Sequence, residues 1–178
     1  MKTTLSIMVD VSGSMNEMGK FYLQRNLCRY VGQLHDIDKK KYADFHFRFF
    51  QWGQDISEIV DIPSFDFNMK GSACLKRLSE FIAQEYKQCQ RYIILSDGYF
   101  STSGTDINYQ EPLKSFSDLI VCPIAVGVDA KEINLKKLAI NSKVSFSEDI
   151  FSAVDEALFF ISGDIMPPDC TSHIRQSE

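Results

Sequence analysis

Apolar and polar positions divide the chain into alternating strand and helix patterns. "TTLSIMVD" is a short apolar run that ends abruptly at Asp10, which reads as a strand. From Glu17 to Leu34, the residues Leu23, Leu27, Tyr30, Val31 and Leu34 recur at helical spacing. "ADFHFRFFQWG" sets Phe45, Phe47 and Phe49 on one face and Asp44, His46 and Arg48 on the other, a period of two and hence a strand, with Trp52 beneath a helix. After the turn at Gly53, "DISEIVDI" reads as a shorter hairpin strand at a sheet edge. Leu75, Leu78, Phe81, Ile82 and Tyr86 predict the next helix, and "RYIILSDG" the next strand. A polar stretch from Tyr99 leads to a short helix over Leu113 to Asp118. "LIVCPIAVGV" is the most continuously apolar run and predicts a central buried strand. "KEINLKKLAI" is a short helix with Leu135 and Leu138 inward, and "KVSFS" a final strand. The last helix, Asp149 to Ile165, turns Phe151, Val154, Leu158 and Phe159 inward and is stopped by Pro167 and Pro168.

Strands that alternate with helices predict an α/β fold: a doubly wound, mostly parallel six-stranded sheet with one antiparallel edge strand and helices on both faces. The 178 residues fit one domain, expected over 1–165, with a polar tail over 166–178. A net charge of −5 argues against a nucleic-acid surface, which needs a concentrated basic face. The run Lys39, Lys40, Lys41 reads as a solvated loop. No apolar run approaches the roughly 20 residues that span a bilayer, and the stretch after Lys2 stops short of a secretory signal core. The five cysteines are scattered and contain no C-x-x-C pair; Cys28, Cys74 and Cys122 read as small core residues. A reducing cytoplasm is the expected compartment.

Three oxygen-rich turns fall at one predicted sheet edge: "DVSGS" with Asp10, Ser12 and Ser14, "KGSA" with Ser72, and "LSDG" with Asp97. In open doubly wound sheets, ligands sit beyond the carboxyl ends of the strands, at the point where strand order reverses. Two carboxylates and three hydroxyls, with no histidine or cysteine among them, suit a hard cation such as Mg²⁺ or Mn²⁺ rather than zinc or copper. Taken alone, such residues are also ordinary turn formers and helix caps.

The pair "DVSGSM" and "LSDG" resembles the von Willebrand factor type A domain with its metal-ion-dependent adhesion site, and the likeness covers essentially the whole chain. The resemblance implies that Ser12 and Ser14 bind the metal directly, that a second-loop hydroxyl joins them, and that Asp10 and Asp97 complete the site. Ser72 stands where the family usually has threonine, and Lys70 where glycine is common. "FRFFQWGQDI", "PIAVGVDAKEINLKKLA" and "ALFFISGDI" resemble small stand-alone bacterial members of the tellurium-resistance type. The implied function is non-catalytic: a metal-dependent module that captures an Asp or Glu of a protein partner, as part of a stress-response or conflict-system complex with a kinase, phosphatase or ATPase. The stretch Tyr99 to Gln110 is expected to shape partner choice.

Two other readings stand beside it: a metal-dependent phosphohydrolase, and a scaffold whose metal site is unused. A phosphate-binding loop is excluded, because five residues separate Gly13 from Gly19 and Phe21 follows Lys20. His35, His46 and His173 lie in a helix end, a strand face and the tail, so no hydrolytic triad is suggested.

Overall fold

The computed structural model describes residues 2–62, 67–100 and 109–159. The strands are β1 (Thr3–Asp10), β2 (Phe45–Trp52), β3 (Ile56–Ile59), β4 (Arg91–Ser96), β5 (Ile120–Ala125) and β6 (Ser145–Phe146). The helices are α1 (Lys20–Gly32), α2 (Leu34–Ile37), α3 (Lys39–Tyr42), α4 (Leu75–Glu85), α5 (Glu132–Lys136) and α6 (Ile150–Phe159). The strands form one six-stranded sheet in the order β3-β2-β1-β4-β5-β6. All pairings are parallel except β2 with β3, which is antiparallel at the edge.

Alternation within the strands separates two apolar layers. Leu5, Ile7 and Val9 of β1 and Ile93 and Leu95 of β4 face α1 and α6, where Leu27, Cys28, Val31, Ala153, Val154 and Ala157 meet them. Met8, Tyr92 and Ile94 face the other way, toward Leu75, Leu78 and Ile82 of α4 and Leu135 of α5. Register places Ile7 opposite Phe49 on β2 and opposite Ile93 on β4, at the centre of the first layer. Trp52 is fully buried and donates from Nε1 to the Cys74 carbonyl at 2.9 Å, at the foot of α4.

Several expectations from the sequence need correction. β5 is buried at all six positions, yet it lies next to the edge strand β6 rather than at the centre. Its apolar character reflects helices on both faces, and β1 and β4 are the central strands. In α6 the inward stripe is Ile150, Ala153, Val154, Ala157 and Leu158, with the two alanines facing the sheet. Phe151 and Phe159 are one position off that stripe and about half exposed, packing edge-on against Tyr30 and Phe45. Tyr30 is likewise half exposed. The three lysines are not a loop: α3 is capped by Asp38, which accepts from the Lys41 backbone N–H, and the Lys41 ammonium reaches Asp155 at 2.6 Å. The helix expected over Leu113 to Asp118 shrinks to a 3-10 turn at Glu111–Leu113, since only Leu113 and Phe116 anchor that segment inward. Cys74 is half-buried, whereas Cys89 is buried and accepts from the Ser6 hydroxyl. The proposed tail, Pro167, Pro168, His173 and most of the Tyr99–Gln110 stretch lie outside the described residues.

Candidate metal centre

Strand order reverses between β1 and β4, and the two strands end side by side at the same sheet edge. Asp10 is the last residue of β1, and Asp97 follows the last residue of β4. Both aspartates are fully buried. Each therefore needs compensating donors, because an unpaired buried carboxylate is costly.

Asp10 receives its donors from both loops. Its Oδ1 accepts the Ser12 backbone N–H at 2.8 Å, and its Oδ2 accepts the Ser96 hydroxyl at 2.5 Å. Ser96 Oγ in turn accepts the Gly98 N–H at 3.0 Å, so Asp10 ties the first loop to the third. Burial pushes the Asp10 carboxyl up to about 6, against the hydrogen bonds from Ser96 and Ser12 that lower it; the nearby Asp97 charge adds to the rise. Gln24, buried on α1, donates from Nε2 to the carbonyls of Asp10 and Leu95, at 3.0 and 3.2 Å, and pins the helix across both strand ends.

Ser12, which is buried, and Ser14, which is half-buried, carry the hydroxyls of the site. Ser12 precedes the 3-10 turn Gly13–Asn16 in an extended conformation, but its hydroxyl makes no capping bond. It faces Ser14 Oγ at 3.1 Å, and Ser14 Oγ donates to Asp97 Oδ1 at 3.2 Å. Asp97 Oδ1 also accepts the Tyr99 N–H at 3.1 Å. Three oxygens from two loops thus form one contiguous cluster. Ser72 is placed differently. Its hydroxyl accepts from Gln54 Nε2 at 2.7 Å, and the second loop joins the first through its backbone, where the Gly13 N–H donates to the Gly71 carbonyl at 3.0 Å.

Two charged residues that the sequence reading passed over complete the site. The Lys20 side chain, at the start of α1, is only 1% exposed, and its Nζ lies 2.7 Å from Asp97 Oδ2 and 3.0 Å from Asp129 Oδ2. Burial works against the ammonium, but the bonds to Asp97 and Asp129 outweigh it and hold the lysine above its usual range. The same contact with Lys20 holds Asp129 below the usual carboxylate range. The signal for Lys20 was periodic: Lys20, Gln24, Leu27 and Val31 form one buried helical stripe that begins with two polar residues.

No protein-family model matches the chain, and a search of the curated proteins finds no match. Solved structures do match. Proximal thread matrix protein 1 from the mussel byssus superposes with a TM-score of 0.65 at 14% identity, over 88% of this chain and 46% of that one. A von Willebrand factor type A protein from Catenulispora acidiphila gives 0.61 at 13% identity, over 87% of this chain and 41% of that one. The chain has the von Willebrand factor type A fold. It spans less than half the length of these neighbours. A further structure of the mussel protein, with a TM-score of 0.64 at 15% identity over 88% of this chain and 46% of that one, has a zinc-occupied MIDAS motif.

The donor chemistry of the present chain fits a small hard cation. Among the described residues, no group of three or more His, Cys, Asp and Glu is arranged to hold a metal. The available set is instead hydroxyls with carboxylate, the oxygen chemistry that Mg²⁺-like ions take. An octahedron with metal–oxygen bonds of about 2.1 Å has edges of about 3.0 Å. The cluster's oxygen separations, 3.1 Å between Ser12 and Ser14 and 3.2 Å between Ser14 and Asp97, lie close to that edge. Among the described residues, no helix is long and apolar enough to cross a membrane.

Proposed function

We propose that the chain is a non-catalytic protein-binding module that captures a partner's Asp or Glu through a divalent cation, Mg²⁺ or Mn²⁺. The observation that carries this reading is the contiguous oxygen cluster of Ser12, Ser14 and Asp97 at the switch point of the sheet. Ser12 and Ser14 supply neutral donors, and Asp97 supplies charge. Asp10 directs its oxygens to the Ser12 backbone N–H and the Ser96 hydroxyl, so its part is to hold the first and third loops in place, whereas Asp97 Oδ1 accepts from Ser14 within the cluster. Ser72 would join the cluster by turning its hydroxyl from Gln54. When bound, the ion supplies positive charge and a position open to a partner's carboxylate.

Other features of the chain support a binding role over a catalytic one. His35 packs on Phe47, with ring centroids 5.2 Å apart, and His46 is exposed on β2. Neither is among the groups bonded to the cluster, so among the described residues no imidazole base stands at Ser12 or Ser14. Elements that border the site carry exposed apolar side chains: Met18 and Tyr22 at the start of α1, Tyr99 after Asp97, and Val128 beside Asp129. Such a rim fits a carboxylate flanked by apolar residues on a protein partner. From the sequence resemblance, that partner is read as a kinase, phosphatase or ATPase of a bacterial stress-response or conflict system, and the compartment as the cytoplasm. The zinc found in the mussel neighbour makes Zn²⁺ a necessary comparison.

The test is capture of partners from native cytosol in Mg²⁺, Mn²⁺, Ca²⁺, Zn²⁺ or chelator, with wild type and the Ser12→Ala/Ser14→Ala protein in parallel. Partner binding should appear in Mg²⁺ or Mn²⁺ and vanish with chelator and in the double variant. Capture that is equal in every buffer and in both proteins would refute the reading.

A further inference from the structure

Lys20 breaks two local rules at once. A lysine side chain is almost never fully buried unless paired, and this one is 1% exposed. It also occupies the first position of a thirteen-residue helix, where a positive charge opposes the helix dipole. Its surroundings accommodate it. The Lys20 stem lies against Gly127, where an added Cβ would stand 2.7 Å from Lys20 Cγ and Cδ. The ammonium bridges Asp97 Oδ2 and Asp129 Oδ2 and lies 5.6 Å from the centre of the Tyr99 ring. Asp129 is 26% exposed, and its Oδ1 makes no hydrogen bond among the described residues.

We infer that Lys20 is a resident counter-cation of the oxygen cluster: it competes with the divalent ion for Asp97, and Asp129 takes up its charge when the ion is bound. The inference rests on the metal reading proposed above. The two oxygens of Asp97 are already divided. Oδ1 faces Ser14 and the Tyr99 N–H, and Oδ2 belongs to the ammonium. Without an ion, Lys20 compensates a carboxylate that is otherwise buried. With an ion on the Oδ1 side, two cations share one carboxylate, and their repulsion opposes ion binding. Asp129 offsets part of that repulsion by offering the ammonium a second, more exposed carboxylate. Lys20 therefore sets the ion affinity below what the same oxygens would give alone. It also leaves the bound ion less neutralised, which favours an added carboxylate from a partner. A lysine that merely anchors α1 would have the opposite effect on variants: its removal would loosen the loops and weaken ion binding.

The experiment is Mn²⁺ titration of the full chain, by calorimetry and by the electron paramagnetic resonance of free Mn²⁺. Wild type, Lys20→Met, Asp129→Asn and the double variant are compared, alongside the melting temperature with and without Mg²⁺. Methionine keeps an unbranched stem against Gly127 and removes the charge. Lys20→Met should bind Mn²⁺ about tenfold tighter or more, the scale of an adjacent unit charge in a partly wetted site, and should gain more in melting temperature from Mg²⁺ than wild type does. Asp129→Asn should bind Mn²⁺ several-fold more weakly, and that loss should shrink in the Lys20→Met background. A folded Lys20→Met protein that binds Mn²⁺ no tighter than wild type overturns the inference and leaves the metal reading standing. If Lys20→Met folds only when Mn²⁺ is added, the competition is supported; if it does not fold at all, unchanged Mn²⁺ affinity in Asp129→Asn overturns the inference. Failure of every protein to bind Mn²⁺ overturns both.

Discussion

Replacing Gly127 by alanine should destabilise the protein in a way that isolates the packing of Lys20. Gly127 has φ +93°, a left-handed conformation in which an L side chain costs about 1–2 kcal/mol. The new Cβ would also stand 2.7 Å from Lys20 Cγ and Cδ and 3.1 Å from Asp129 Oδ1. A flexible lysine would normally swing away, but this one is buried and held at its tip by Asp97 and Asp129. Forcing it aside resembles overpacking a core, about 1–3 kcal/mol more. The sum is about 2–5 kcal/mol, or a fall in melting temperature of roughly 10 °C for a chain of this size. Gly19 is the control. It has φ +77°, but nothing lies within 4 Å of its added Cβ, so Gly19→Ala should carry the backbone cost alone, about 1–2 kcal/mol and a few degrees. Thermal unfolding followed by circular dichroism separates the two. A double variant, Gly127→Ala with Lys20→Ala, should lose less than the sum of its parts, since the clash disappears with the stem. Equal losses for Gly127→Ala and Gly19→Ala, with an additive double variant, would refute the claim that the lysine is fixed in place.

Two further predictions concern the frame around the site. Ile7→Ala on the central strand, fully buried and opposite Phe49 and Ile93, should cost about 2–5 kcal/mol, read from urea unfolding with an unchanged m-value. Ser96→Ala removes the donor to Asp10 Oδ2 and the acceptor of the Gly98 N–H, so it should cost about 1–3 kcal/mol and weaken Mn²⁺ binding although Ser96 is not placed at the ion.

The fold was legible where the pattern was local. Period-two and helical stripes are imposed by a single face of burial, so β1, β2, α1 and α4 stand close to where the sequence puts them. What the pattern does not encode is position within the sheet. β5 looks central because helices cover both of its faces, not because strands flank it equally. Phe151 and Phe159 read as inward by hydrophobicity, but Ala153 and Ala157 occupy that stripe and the larger rings lie beside it. The oxygen cluster was legible in part, since Asp10, Ser12 and Ser14 share one turn and Asp97 ends a recognisable strand. The Lys20 contacts to Asp97 and Asp129 span 77 and 109 residues, and only the folded chain brings them together. Ser72 shows the limit of spacing: its loop reaches the first loop by backbone, while its hydroxyl is taken by Gln54.

The central claim is that Ser12, Ser14 and Asp97 bind a small hard cation, and direct calorimetric titration with Mn²⁺ tests it most closely. Wild type should bind one ion. Ser12→Ala/Ser14→Ala should bind at least about tenfold more weakly, a loss of about 1.4 kcal/mol or more, with the melting temperature in chelator little changed. Calcium should bind less well than Mn²⁺, because it prefers more oxygens at longer distance. Equal Mn²⁺ affinity in wild type and the folded double variant would contradict the claim and reduce Asp10, Ser12 and Ser14 to a structural turn.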